Sequence, residues 1–144
     1  HYGYKDHVKC DADSKLITNY AVTDAALHDS NRCIDFLDEK DEALYADSAY
    51  SGESIAEQLP ENCENCICEK GYRGHPLTEE QKENNRKKSK VRCRIEHIFG
   101  FMTGAMHGTT IRNIGIIRAW FNIGLTNLIY NFCRYEFLKR KSTC

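Results

Sequence analysis

Residues 92–102 read RCRIEHIFGFM, and this stretch decides how the second half of the chain folds. With Val91 ahead of it, the side chains of Ile95, Ile98 and Met102 recur at intervals of four, three and four residues. This spacing places four apolar side chains on one side of an α-helix. The stretch therefore predicts a helix that packs against a core along that side.

Glu96 lies in the middle of the predicted helix, next to the apolar side and to a basic side that carries Arg92 and Arg94. One interpretation is a surface acid paired with Arg92, four residues earlier, since such helix pairs are common and contribute little. The other is a metal ligand, because carboxylate oxygens bind hard divalent cations such as Mg2+. The helix alone leaves both interpretations open.

The two halves of the 144-residue chain carry opposite charge, although the net charge is −1. Residues 1–69 contain five Lys and Arg against sixteen Asp and Glu, whereas residues 70–144 contain fifteen against five. The basic half predicts a polyanionic partner, or it complements the acidic half. The most apolar stretch, Ile111 to Phe132, is interrupted by Arg and Asn, so no membrane span is predicted. The chain opens on His1 without a Met, which suggests a start inside a longer reading frame.

Eight cysteines raise the question of a zinc site, but only Cys63, Cys66 and Cys68 cluster. A structural zinc site usually adds a second pair of ligands at similar spacing, and none is evident in the sequence. We therefore expect free thiols in a reducing cytosol. A zinc-stabilised interaction module built on these three cysteines remains the alternative.

Periodicity and turn signals predict a mixed α/β chain. Alternating residues favour a β-hairpin over residues 2–22 with a turn at 11–14. Thr78 and Gln81 fit a capping box at the start of a helix that runs to about Met102. The other predicted elements are a helix capped by Asp29 and Ser30 and running to about Lys40, a strand buried on both faces at 43–46, a short helix near 53–59, a strand at 65–70, and a last helix over roughly 112–138 whose period is held by Ile114, Ile117, Phe121, Leu128 and Phe132.

Asp47 directly follows the strand at 43–46, which is the strand expected at the centre of a sheet. Carboxyl ends of central strands are where α/β sheets place ligands, although an Asp here also suits a simple turn. Asp47 and Glu96 could together hold a pair of Mg2+ ions, and two ions about 3.5–4 Å apart can clamp the attacking and leaving oxygens of a phosphodiester. The basic helix around Glu96 would then face a DNA backbone.

Several segments of the chain resemble one protein family. They occur in the order YGYKDHVKCDADSKLI, VTDAALHDS, LYADSAYSG, KVRCRIEHIFGFM and IRNIGIIRAWFNIGLTNLIYNFCRY. This order resembles the C-terminal part of the catalytic domain of bacterial insertion-sequence transposases of the DDE type, in insertion sequence family five within the family-four superfamily. The resemblance covers nearly the whole chain. It implies a ribonuclease-H-like fold and an enzyme that cuts double-stranded DNA at terminal inverted repeats and joins it to target DNA, using Mg2+ or Mn2+.

The resemblance also implies roles for individual residues. Asp47 matches the second Asp of the family's metal site and Glu96 matches its Glu. Arg92 matches the Arg of the family-four signature, whereas Ser89 and Thr103 replace its Tyr and Lys. The expected phosphate contacts are Arg92, Arg94, Lys90, Lys88 and Lys87, and the residues expected to support the site are Asp24, His28, Asp29 and Tyr50.

No residue of this chain matches the family's first Asp, which lies on the central first strand in the resembled strand order 3-2-1-4-5. The family's N-terminal DNA-binding region has no counterpart either. Without the first strand, the hairpin and the strand at 43–46 each expose an edge, so we expect a split sheet, an improvised pairing or poor solubility. We expect little or no DNA cleavage by this chain alone. The alternative function is a catalytically dead DNA-binding remnant of a decayed element. Transposases generally act on paired ends, so the resemblance implies a homodimer in the bacterial cytoplasm, associated with the nucleoid.

Overall fold

The computed structural model describes residues 3–25, 35–50, 55, 57–108 and 110–143. The chain divides into two compact units, which we call the hairpin unit (residues 1–28 and 94–144) and the parallel-strand unit (residues 29–93). The elements are the strands β1 (Tyr4–Cys10), β2 (Ile17–Asp24), β3 (Ala43–Leu44) and β4 (Glu64–Asn65), a 3-10 helix (Ser48–Tyr50), and the helices α1 (Glu79–Gly104) and α2 (Ile116–Thr143). The described residues are therefore mixed α/β, as the sequence predicts.

The hairpin unit is built on β1 and β2, which pair antiparallel with Tyr4 opposite Asp24. Their connection is the predicted turn. The carboxylate of Asp11 accepts hydrogen bonds from the backbone N and the Oγ of Ser14, each at 2.6 Å, and Lys15 takes the left-handed conformation at φ 59°. The bonds from Ser14 stabilise the charged carboxylate and lower the pKa of Asp11. The hairpin predicted over residues 2–22 is confirmed.

Helix α1 contributes its apolar side to the core of the hairpin unit. Ile98 and Met102 are the two largest fully buried side chains among the described residues, and they pack with Ile17 and Tyr130. Ile95 is half-buried against the same cluster, so the predicted stripe is confirmed for Ile95, Ile98 and Met102. Val91, its fourth predicted member, is half-buried. A second cluster in this unit consists of Val22, Ala119 and Ile123.

Helix α2 starts at Ile116 and ends at Thr143, later at both ends than the sequence predicts. Its packed side carries Ala119, Ile123, Asn127 and Tyr130, which are all buried. The apolar residues that hold the predicted period lie elsewhere and are exposed; they are Ile114, Ile117, Phe121, Leu128 and Phe132. One helix thus carries two apolar sides, and only one of them is covered.

The parallel-strand unit is built on β3 and β4, with Ala43 opposite Glu64. Hydrogen bonds from Cys66 N to Leu44 O and from Cys68 N to Ala46 O extend the pairing beyond the two-residue strands. Residues 43–46 are only half-buried, so the prediction of a strand buried on both faces is wrong. The strands of the described residues form two separate two-stranded sheets, which is the split sheet among the expected outcomes.

The remaining predictions divide between confirmed, wrong and undescribed. The capping box is confirmed, because Gln81 Oε1 accepts from Thr78 N at 2.9 Å and Thr78 Oγ1 accepts from Gln81 N at 3.2 Å. Residues 35–40 form turns rather than the end of a helix. The helix caps at 29 and 30 lie outside the described residues, as do residues 53, 54 and 56 of the short helix predicted near 53–59. Residues 57–59 form a turn and a bend rather than a helix.

Candidate active site

Asp47 lies at the carboxyl end of the parallel pairing, one residue after the last strand hydrogen bond at Ala46. Its side chain is exposed and its Oδ1 accepts from the backbone N of Ser48 at 2.6 Å. Its carbonyl accepts from Tyr50 N at 2.9 Å, which closes the 3-10 helix. The residue therefore both shapes the turn and presents a carboxylate at the strand end, where parallel sheets place ligands.

The segment after β4 is held against the first half of α1 by polar side chains. The Oδ1 of Asn85 accepts a hydrogen bond from Glu69 N at 2.9 Å, and its Nδ2 donates to Glu69 O at 2.9 Å. The side-chain amide thus pairs with both backbone groups of Glu69. Gln81 Nε2 donates to Glu69 Oε2 at 2.6 Å, and Lys88 Nζ donates to Ile67 O at 3.0 Å. The Oγ of Ser89 lies 3.8 Å from the sulfur of Cys68.

Glu96 lies on the second half of α1, in the hairpin unit, and its side chain is exposed. The next residue, His97, contacts the turn of the hairpin, with its Nδ1 3.0 Å from Lys15 Nζ. Because the Lys ammonium has only donors, His97 Nδ1 is the acceptor in this pair. The contact fixes the hairpin turn beside the predicted metal ligand.

Arg94 also reaches the hairpin turn. Its Nη1 donates to Ala12 O and lies 3.2 Å from Asp13 Oδ1. The guanidinium is partly covered, with a side chain 34% exposed, whereas Asp13 is almost fully exposed. The pairing stabilises this turn chiefly through the backbone contact, since an exposed ion pair contributes little.

Helix α2 holds the same hairpin turn from its packed side. Asn131 Oδ1 accepts from Ile17 N and its Nδ2 donates to Ile17 O, both at 2.8 Å. Tyr130 Oη donates to Lys15 O at 3.0 Å and Arg134 Nε donates to Ser14 O at 2.6 Å. Sequence reasoning missed these bonds because they link residues more than a hundred positions apart.

The five predicted phosphate contacts fall into two groups. Lys88 and Arg94 donate to backbone carbonyls within their own units and therefore hold the fold. Lys87 and Lys90 are exposed, and Arg92 is half-buried.

The predicted supporting residues are only partly described. Asp24 is exposed at the end of β2, opposite Tyr4. Tyr50 is half-buried at the end of the 3-10 helix. His28 and Asp29 lie outside the described residues.

A complete metal site is not formed by the described residues. Among them, no group of three or more His, Cys, Asp or Glu side chains could hold a metal ion. The parallel-strand unit presents Asp47 and the hairpin unit presents Glu96, so each unit offers one of the two predicted carboxylates. The same search covers the zinc alternative and gives it no support. None of the described cysteines forms a disulfide, and Cys133 is exposed.

Asp6 is a half-buried carboxyl group that sequence reasoning passed over. It alternates with Tyr4 and Val8 on the side of β1 that faces the apolar clusters, and this alternation was the available signal. Burial raises the pKa of Asp6 from 3.8 to about 6, although a hydrogen bond from Asn127 Nδ2 at 3.3 Å opposes the shift. Asn127 is itself buried, and its Oδ1 has no hydrogen-bond partner among the described residues. The pair is a polar contact in an otherwise apolar layer.

The chain is similar to known proteins over most of its length. Residues 1–132 match the model of a family described as the transposase DDE domain. The chain is 29% identical, over 119 residues, to the transposase for insertion sequence element IS1106 of Neisseria meningitidis serogroup B. That alignment covers 81% of this chain and 41% of the relative, so the chain spans about two fifths of the curated relative's length.

Two further findings concern solved structures and membrane spans. No solved structure matches the chain significantly. None of the helices in the described part of the chain is long and apolar enough to cross a membrane.

Proposed function

Because the chain belongs to the family of transposase DDE domains, we propose that it is the C-terminal part of the catalytic domain of a bacterial insertion-sequence transposase of insertion sequence family five. The family match over residues 1–132 carries this proposal. The likeness to the Neisseria transposase supports it. The mixed α/β architecture with two small sheets suits a ribonuclease-H-like fold whose central first strand comes from outside residues 1–144.

The proposed reaction is hydrolysis of a phosphodiester at the element's ends, followed by transfer of the freed strand to target DNA. Asp47 and Glu96 are two of the proposed carboxylate ligands, and a further Asp from the rest of the protein is the third. A divalent cation bound there, Mg2+ or Mn2+, supplies stabilisation of the charge on the phosphate. The proposal is supported by the exposed position of Asp47 after a parallel strand and by the exposure of Glu96 on α1.

We assign DNA contact to three basic residues of α1. Lys87 and Lys90 are exposed on this helix and Arg92 is half-buried. We align Arg92 with the signature Arg of the family. We assign these three to phosphates, a sequence-independent contribution that weakens as salt increases. Lys88 and Arg94 act first as donors to backbone carbonyls.

The assembly proposed for the complete protein is a homodimer on double-stranded DNA, with the paired terminal repeats and the target as its ligands. Because its proposed substrate is DNA, we place the protein in the bacterial cytoplasm, at the nucleoid. An exposed basic helix next to a carboxylate suits such a ligand, because phosphates and a cation-binding carboxylate are needed side by side.

A cleavage assay tests this function in the longer protein that contains the chain. The substrate is a plasmid carrying the ends of the element. We expect Mg2+-dependent cleavage. The cleavage rate should fall at least about a hundredfold in Asp47→Asn and in Glu96→Gln, since each change removes one proposed metal ligand. Glu80→Gln, another exposed acid on α1, is the matched control and should cleave normally.

The same assay separates the proposal from its rival. Cleavage that persists in both variants would contradict the assignment of the two carboxylates. DNA binding without cleavage in any form of the protein would favour a catalytically dead remnant of a decayed element. The 144-residue chain alone should cleave little or not at all, and clear Mg2+-dependent cleavage lost in Glu96→Gln would contradict that expectation.

A further inference from the structure

Helix α2 carries an uncovered apolar stripe along the side opposite its packed face. Counted at about 100° per residue, the centre of this stripe lies about 160° around the helix from the buried Ile123. Its exposure is large, with Phe121 69% exposed and Phe132 63% exposed. We define the α2 stripe as Phe121, Leu125, Leu128, Phe132 and Tyr135, all exposed.

The α2 stripe repeats with the period of a coiled coil. Its members follow one another at intervals of four, three, four and three residues. An average spacing of 3.5 residues keeps a seam facing one long partner helix, whereas a purely 3.6-residue stripe drifts away from it. The two residues that extend this seam, Arg118 before it and Lys139 after it, are cationic. The expected partner is therefore another helix of about the same length. Whether the two helices run parallel or antiparallel decides which residues face Arg118 and Lys139 at the ends of the seam.

The α2 stripe is complementary to itself when two copies run antiparallel. A two-fold axis between residues 126 and 127 puts Phe121 opposite Phe132 of the partner subunit, and Leu125 opposite Leu128 of the partner subunit. It also puts Arg118 opposite the partner subunit's Tyr135, whose ring suits a guanidinium. A parallel pair would instead stack Arg118 on its own copy and Lys139 on its own copy, which costs electrostatic energy.

The area of the α2 stripe reaches what a specific pair needs. Aromatic side chains have about 150–250 Å2 each to bury, so the three aromatic members expose roughly 100 Å2 or more apiece. With its two leucines, the stripe offers about 500 Å2 per copy, and a pair would bury about 1,000 Å2, the lower bound for a specific interface.

We propose that the α2 stripe is the interface between two copies of this chain, paired as antiparallel α2 helices. The inference stands on exposure, spacing and self-complementarity, and it does not require the chain to act on DNA. It assigns a surface to the homodimer that the family likeness leaves unlocated. An upstream segment of the longer protein is the other occupant to be tested.

Sedimentation equilibrium of the 144-residue chain at tens of micromolar tests the occupant. We expect a dimer for the unchanged chain and dimerisation weakened at least about tenfold in Phe132→Glu, since each copy would bury an unpaired carboxylate in the seam. Tyr72→Glu is the matched control, because Tyr72 is 65% exposed and lies in the parallel-strand unit. The melting temperature of each variant checks that it is folded.

The outcomes are distinct from those of the cleavage assay. A monomeric chain over this range would overturn the proposal and favour the upstream segment as the occupant. A dimer that survives Phe132→Glu would overturn it as well. Cleavage by the longer protein could succeed or fail in either case.

Disulfide cross-linking tests the direction of the pair. In a Cys93→Ser, Cys133→Ser, Cys144→Ser background, a chain with Phe121→Cys is mixed with a chain with Phe132→Cys under mild oxidation. An antiparallel pair should give cross-links chiefly between the two different chains. Cross-links chiefly between identical chains would indicate a parallel pair and overturn the arrangement.

Discussion

The two halves of α1 hold their neighbouring β segments by different means. In the hairpin unit, Ile98 and Met102 bury completely, and Arg94 and His97 add polar contacts to the hairpin turn. In the parallel-strand unit, the same helix holds residues 67–69 mainly through the polar side chains of its first half. The difference lies in the contacts of α1 itself, with apolar burial prominent in its second half and directed hydrogen bonds in its first half. Ile67 is itself buried, so the hydrogen bonds of the first half act beside apolar burial in the parallel-strand unit.

The largest expected effect is a cavity in the hairpin unit. Ile98→Ala removes a side chain with no exposed surface, so we expect it to lower the free energy of unfolding by about 3–4 kcal/mol. Ile98→Val, which removes one methylene, should cost about 1 kcal/mol. Urea denaturation measures both. A loss below about 1 kcal/mol for Ile98→Ala would show that apolar burial does not dominate this unit.

The second effect concerns the polar pair inside the hairpin unit. Because the pKa of Asp6 is raised to about 6 in the folded chain, the protonated form is favoured by folding. The contribution of protonated Asp6 to the free energy of unfolding is fully present below the unfolded pKa of 3.8, and it is lost as pH rises through the folded pKa of about 6. We therefore expect Asp6→Asn to raise the free energy of unfolding at neutral pH by about 1–2 kcal/mol, less than the full shift because the site is partly solvated.

The pH dependence makes this prediction specific. The gain from Asp6→Asn should vanish below the unfolded pKa, and the new amide could donate to the unpaired Oδ1 of Asn127. Asp24→Asn, at the exposed end of β2, is the control. Denaturation curves across this pH range decide the matter, and an equal gain at all pH values would refute the assigned cause.

The third effect sharpens the contrast in the parallel-strand unit. Asn85→Ala removes both bonds to the backbone of Glu69, so it should cost about 1–2 kcal/mol. Asn84→Ala, at the exposed neighbouring position, should change the free energy of unfolding by less than about 0.5 kcal/mol. Equal effects of the two changes would show that these hydrogen bonds do not hold the segment.

The smallest effect separates two adjacent lysines of α1. Lys88→Ala should lower the free energy of unfolding by about 1 kcal/mol through the lost bond to Ile67 O. Lys87→Ala should leave stability unchanged and reduce the salt dependence of DNA binding by about one phosphate contact. Fluorescence anisotropy at several salt concentrations measures the second quantity, and a reversed assignment would break the division between fold-holding and DNA-binding residues.

Local signals in the sequence predicted local structure well. The capping box of Thr78 and Gln81 and the Asp11 turn depend on residues three positions apart, so their pattern is readable directly. The position of Asp47 was predictable in a similar way, because it directly follows the residues that predict the strand. The contact of Arg94 with Ala12 was not, because it joins residues 82 positions apart and no periodicity records it.

The packed side of α2 shows the limit for longer elements. The large apolar residues are more conspicuous than Ala119 and Asn127, yet the smaller and more polar side is the one that packs. Close approach to the hairpin requires small residues, as at Gly124, where an added Cβ would clash with Tyr20 Oη. Hydrophobicity alone therefore cannot choose between two apolar sides of one helix.

The central claim is that Asp47 and Glu96 bind the same kind of cation in the longer protein that contains this chain. Fe2+ in place of Mg2+, with ascorbate and peroxide, generates radicals that cut the polypeptide next to the bound ion. We predict cuts near both residue 47 and residue 96, which excess Mg2+ suppresses and which Glu96→Gln weakens at both positions. Cuts near neither residue, or cuts near only one of them, would contradict the account.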